Sequence, residues 1–189
     1  MKRHISTNRR ISVIFALCST LSLSLSGCSK PAGNLDADEG KTLAQTLDDD
    51  GDVSAFAKAM SDTGLETALK GKGDYTLLAP VNAAFEPLEK RADGMTDAGK
   101  KAVFAAILRA HILPGTITPD DLRVATARAG RRAAMTTMDG SQVTFLREGE
   151  QIKLTTSQGT AHLAGKAKVT KNGAIVPIDA VLKSIDSPQ

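Results

Sequence analysis

The apolar residues of this chain change their spacing once, and that change limits the possible folds more than any single motif does. Up to about residue 127 most of the recurrences are helical. Leu43, Ala44 and Leu47 share one face of a short helix that stops at the acidic run 48–50 and Gly51. Val53, Phe56, Ala57 and Met60 follow at i, i+3, i+4 and i+7, with Asp52 placed to cap them. Thr63-Gly64-Leu65-Glu66 fits a capping box for a third helix, which Gly71 and Gly73 end. Asn82 is placed to cap a helix holding Ala83, Ala84 and Phe85, and Val103, Phe104, Ile107, Leu108 and His111 line a longer one from about Asp97. Pro119 opens one more. One short apolar run, 75–79, ends at Pro80 and reads as a buried strand. After about Arg131 the period becomes two. The segments 142–147 and 151–156 flank Glu148-Gly149-Glu150, and 166–171 and 174–182 flank Asn172-Gly173, a strong hairpin signal that predicts a type I′ turn. Helices followed by hairpins predict an α+β domain with a small twisted sheet or wedge. No repeat of 20–50 residues is present.

Charge separates the first 27 residues from the rest. The chain has 24 Lys and Arg against 21 Asp and Glu, but Lys2, Arg3, Arg9 and Arg10 stand in a leader without acids, leaving 20 bases and 21 acids after it. A remainder of net charge −1 offers no basic stripe for nucleic acid. The apolar stretch from Ile11 to Leu25 is shorter than the roughly 20 residues of a membrane-crossing helix. Basic residues precede it and small ones follow, the layout of a secretory signal peptide. Leu25-Ser26-Gly27-Cys28 resembles the lipobox of bacterial lipoproteins. That resemblance implies cleavage after residue 27, a lipid on Cys28 and, with Ser29 rather than Asp next, delivery to the outer membrane. Several acyl chains on one residue anchor firmly where one does not. Cys18 would leave with the leader, so the exported part would keep no free thiol. Residues 28–40 then read as the lipidated cysteine and a flexible tether, and 41–186 as the domain.

Three blocks of that domain resemble a known family in order and spacing. Residues 75–85, YTLLAPVNAAF, are similar to the first block of the fasciclin domain. His111-Ile112-Leu113-Pro114-Gly115 is similar to its central block, and residues 172–182, NGAIVPIDAVL, to its closing block. The resemblance implies that Asn82, His111 and Asp179 join a buried structural network rather than a reaction centre. Asp179 stands in an apolar strand, where a carboxylate requires hydrogen-bond partners. The chain departs from the family pattern at Ala110, Val81, Val176 and Pro177, where the family often has Tyr, Thr and His. Lys168 and Val169 stand where animal relatives carry an Asp-Ile pair in integrin-reading motifs, so integrin-type recognition is not carried over.

No reaction is legible. His111 and His162, the histidines beyond the leader, are too few for a zinc site, and the acidic run around 48–50 lacks the first and last ligands of a calcium loop. No G-x-S-x-G elbow exists, and Gly71-Lys72-Gly73 is too short for a phosphate loop. No cofactor is expected. Arg128, Arg131 and Arg132 form a small basic cluster able to touch anionic lipid or polysaccharide. The resemblance implies adhesion, or binding of an envelope protein or glycan. The alternative is a carrier of a small apolar ligand such as a pigment, although four Phe and one Tyr beyond the leader supply few aromatic surfaces.

Overall fold

The computed structural model describes residues 35–38, 40–71, 73–128 and 132–185; the leader and Cys28 lie outside them. Strand Leu35–Asp38 (β1) precedes helices Leu43–Asp48 (α1), Ser54–Thr63 (α2) and Glu66–Leu69 (α3). Strand Tyr75–Pro80 (β2), helices Asn82–Ala92 (α4) and Asp97–Arg109 (α5), strand Ile112–Pro114 (β3) and helix Pro119–Arg128 (α6) follow. The remainder is β: Arg132–Thr136 (β4), Gln142–Glu148 (β5), Gln151–Thr155 (β6), Thr160–His162 (β7), Ala167–Thr170 (β8) and Gly173–Ile178 (β9). The expected α+β class is observed, with the strands divided between two sheets. One has the order β1-β8-β9-β2-β3, the other the order β4-β5-β6-β7.

The first sheet is organised around β2 and β9, which run parallel from Tyr75 opposite Gly173 to Pro80 opposite Ile178. Alternate residues of this pair serve two cores. Leu77 and Ile175 meet Leu43, Phe56, Met60, Phe85 and Leu108 from the helices. Leu78 and Val176 meet Val143, Phe145, Ile152 and Leu154 of the second sheet, with Leu122 of α6. Both faces are covered, which is why residues 75–79 read as a mostly apolar run instead of an alternation, with the one buried polar side chain, Thr76, bonded to the Gly115 carbonyl and the Ile117 N–H. In the helical core Phe56 and Phe85 meet edge to face at 6.1 Å between ring centroids.

Several local expectations are corrected. Leu35–Asp38, expected in the tether, pairs parallel with β8 from Leu35 opposite Ala167 to Asp38 opposite Thr170. Without it β8 would leave a row of peptide groups at an open sheet edge. Asp52 caps nothing; Asp50 accepts from the Asp52 N–H at 3.2 Å at the start of a 3₁₀ turn, Gly51–Val53. Thr63 does not open α3. Its hydroxyl donates to the Ala59 carbonyl at 2.8 Å and so closes α2, with Gly64 left-handed after it. The capping box lies instead at α1, where the Gln45 N–H donates to Thr42 Oγ1 and the Thr42 N–H to Gln45 Oε1.

The closing hairpin is offset by one residue from the type I′ expectation. Thr170 pairs with Gly173, so Lys171 and Asn172 form the loop and Gly173 is the first residue of β9. Glycine is required there by crowding. A Cβ would sit 1.9 Å from the Tyr75 carbonyl oxygen and 2.6 Å from Leu43 Cδ1, at a φ of +151°.

Candidate functional site

The end of α5 turns the His111 side chain into the interior, where it is fully buried. The Ile107 carbonyl lies 2.9 Å from Nδ1, and the Leu182 N–H lies 2.9 Å from Nε2. A carbonyl only accepts and an amide only donates, so Nδ1 carries the proton and Nε2 accepts. Burial pushes the imidazole down to about 4, against weaker upward pulls from its bond to Ile107 and from the charge of Asp139. At neutral pH His111 is therefore uncharged, with both nitrogens engaged. It fastens the segment after β9 to α5 and has no free nitrogen with which to accept or pass on a proton.

The segment held by His111 is secured twice more. Thr156 Oγ1 donates to the Leu182 carbonyl at 2.8 Å, and Lys183 Nζ lies 3.0 Å from Asp139 Oδ2 in the β4–β5 turn. Burial acts to raise the Asp139 carboxyl, but hydrogen bonds from Ser141, Thr137 and Lys183 outweigh it and hold it well below the usual carboxylate range.

Asn82 does not cap its own helix; α4 starts after Val81 with no side-chain cap. The carboxamide reaches the beginning of α2. Oδ1 accepts from the Ala55 N–H at 2.9 Å and from Ser54 Oγ at 3.3 Å, and Nδ2 donates to the Gly51 carbonyl at 2.7 Å. Asp179 departs further from expectation. It follows the last residue of β9, its side chain is 48% exposed, and it takes the His162 N–H at 2.6 Å and His162 Nδ1 at 3.1 Å. Asn82, His111 and Asp179 therefore do not share one buried network. Each makes its own link between segments.

Asn172 is the linking residue that the sequence reading missed. Its Oδ1 accepts from the Leu43 N–H at 2.8 Å, its Nδ2 donates to the Leu69 carbonyl at 2.7 Å, and its own carbonyl faces the Tyr75 N–H at 3.3 Å. One side chain thus ties the closing hairpin to α1 and α3. The only local signal was the Asn-Gly pair, which reads as a turn and says nothing of contacts more than a hundred residues away.

Surface features are modest. Arg128 ends α6 and Arg132 opens β4 with an exposed side chain, while Arg131 lies outside the described residues. Among the described residues no group of three His, Cys, Asp or Glu is arranged to hold a metal ion. A cleft of about 180 Å³ lies between Arg123, Gln151, Ala167 and Pro177. Another of about 170 Å³ lies between Pro87, Leu88, Val181 and Ile185. A third of about 250 Å³ lies between Asp62, Lys100 and Phe104.

These features define an α+β domain whose motif side chains hold distant segments together. The chain belongs to the fasciclin domain family, which it matches over residues 51–184. It is 30% identical to human (Homo sapiens) periostin over 145 residues, covering 76% of this chain and 16% of periostin. Among solved structures it is similar in fold to the fasciclin domain pair of the insect cell adhesion molecule fasciclin I. There the TM-score is 0.65 at 16% identity, covering 77% of this chain and 51% of the other. The chain thus spans a small part of periostin and about half of the fasciclin I pair.

Proposed function

We propose that this chain is a non-enzymatic adhesion or binding module of the bacterial envelope, carried on a lipid at Cys28 and engaging a protein or glycan partner. The observation that carries this reading is the employment of the motif side chains. Asn82 and Asn172 are each committed at two atoms to backbone groups of other segments, and His111 bridges the Ile107 carbonyl of α5 to the Leu182 N–H after β9, so the residues that resemble the family motifs act as fasteners. Membership of the fasciclin family, and likeness in fold to an insect cell adhesion molecule, support a binding role. The basic leader and Leu25-Ser26-Gly27-Cys28 support export and lipidation, and Ser29 supports the outer membrane as destination. Arg132 supplies an exposed basic group for an anionic partner surface.

The carrier alternative is weaker on size. The three clefts hold about 180, 170 and 250 Å³. Small-molecule sites usually hold roughly 300–1,000 Å³. The test is crosslinking in the native envelope, followed by identification of the captured species and an absorbance spectrum of the purified protein. A discrete envelope protein or polysaccharide adduct, lost from the envelope fraction in Cys28→Ser, is expected. A co-purified chromophore, or unchanged membrane retention in Cys28→Ser, would overturn the corresponding half of the reading.

A further inference from the structure

Residues 179–185, beyond β9, form neither helix nor strand, yet they are packed. Val181 and Ile185 lie against the helical core, and Leu182 is buried in the other. Three bonds already described hold the segment, and each runs to a side chain: the Leu182 N–H to His111 Nε2, Thr156 Oγ1 to the Leu182 carbonyl, and Lys183 Nζ to Asp139. The pairing of β2 with β9 ends at Ile178. Residues 180–185 can therefore lift away without unpairing a strand. Segments held in this way open locally, at a lower free energy than global unfolding.

The bond at His111 is the one a proton cuts. Nε2 accepts the Leu182 N–H only through its lone pair; once it is protonated, two donors face each other across 2.9 Å. The surroundings of the ring are sparse in charge. The β4–β5 turn brings Asp139, which Lys183 of the segment pairs, while α2 presents the Phe56 ring and α5 the Ile107 carbonyl. We infer that residues 180–185 are an acid-released strap: a proton on His111 Nε2 breaks the bond to Leu182 and frees the segment while both sheets stay formed. Release puts Leu182 in water and removes one wall of the cleft at Pro87 and Leu88. The imidazole titrates near 6.5 in water and at about 4 when buried, so its hold on the strap is complete above 6.5 and is lost as pH falls towards 4. The Asp139 carboxyl, held well below the usual range, does not titrate in that window. Between pH 7.5 and 4.5 opening should become easier by roughly fifty- to a hundredfold.

The test is amide hydrogen exchange on the full-length chain, read by NMR as protection relative to a free amide at the same pH. Leu182 reports the strap. Leu78, whose N–H donates to the His111 carbonyl at 2.8 Å from within β2, reports global unfolding. Protection at Leu182 is expected to lie about tenfold or more below that at Leu78 and to ignore sub-denaturing urea, to which Leu78 responds. It should fall by roughly fifty- to a hundredfold from pH 7.5 to 4.5, and His111→Gln should abolish that fall. Lys183→Met should lower protection at Leu182 by about tenfold and leave its pH dependence in place, which keeps the test open if His111→Gln does not fold. Equal protection and equal urea response at Leu182 and Leu78 would mean one global opening and no strap. Protection at Leu182 that is constant with pH, that falls equally in His111→Gln, or that loses its pH dependence in Lys183→Met overturns His111 as the release. Protection unchanged by Lys183→Met overturns the strap as drawn.

Discussion

Acid should loosen this domain through one residue. In the unfolded chain His111 titrates near the ordinary value of 6.5, whereas in the fold burial lowers it to about 4. Between those values the unfolded state binds a proton that the folded state refuses, so stability rises with pH across the window. The contribution is fully present above about 6.5 and is lost as pH falls towards 4. A separation of about 2.5 units corresponds to roughly 3 kcal/mol at 1.36 kcal/mol per unit. Asp139 does not confuse the window. Its carboxyl is held low, so its contribution is lost only below the ordinary value of 3.8. The perturbation is His111→Gln, which removes the titrating group and keeps a side-chain donor and acceptor. Urea denaturation of both proteins at pH 7.5, 6.5, 5.5 and 4.5 isolates the His111 contribution, because all other groups cancel in the difference. The advantage of the original chain should shrink by about 2–3 kcal/mol from the highest to the lowest pH. A difference that stays constant across the series would refute the assignment of His111 as a buried neutral imidazole.

Other substitutions address the remaining fasteners and the crowded turn. Asn172→Ala strands the Leu43 N–H and the Leu69 carbonyl and should cost about 2–4 kcal/mol in chemical denaturation. A loss under about 0.5 kcal/mol would mean that water replaces the carboxamide freely. Gly173→Ala drives a Cβ against the Tyr75 carbonyl and should prevent folding, whereas Gly149→Ala meets open space at φ +64° and should cost only about 1–2 kcal/mol. Circular dichroism and thermal melts separate the two, and equal melting temperatures would contradict the close approach. Lys183→Met removes the cation from Asp139 and should lower stability at pH 7 by roughly 2 kcal/mol. A double-mutant cycle with Asp139→Asn measures the coupling, and a value near zero would refute it.

The legible features were those whose cause is local. The hairpin around Glu148-Gly149-Glu150 appears where the alternation puts it, as β5 and β6, because register, turn glycine and apolar face all lie within fifteen residues. The helix over Val53, Phe56, Ala57 and Met60 is likewise present as α2. Local chemistry with two possible uses was misread. Thr63 and Asn82 both have cap-forming side chains, but one closes the preceding helix and the other caps a helix distant in sequence. β1 was hidden for a different reason. Leu-Asp-Ala-Asp is too short and polar to announce a strand, and it pairs because β8 offers an open edge. The blocks that resemble the family contain His111, Asn82 and Asn172, but the partners of each required three-dimensional proximity.

The parallel pairing of β2 with β9 also has a consequence in time. Tyr75 must wait for Gly173, and the chain between them includes the whole second sheet. Contacts of such long sequence separation form slowly, since loop-closure entropy is lost before they stabilise anything. A nascent chain emerging from its N-terminus therefore makes its helices first, with no central strand pair to pack them on. On the export proposed above, the late arrival of β9 keeps the chain open for threading until nearly all of it has been made.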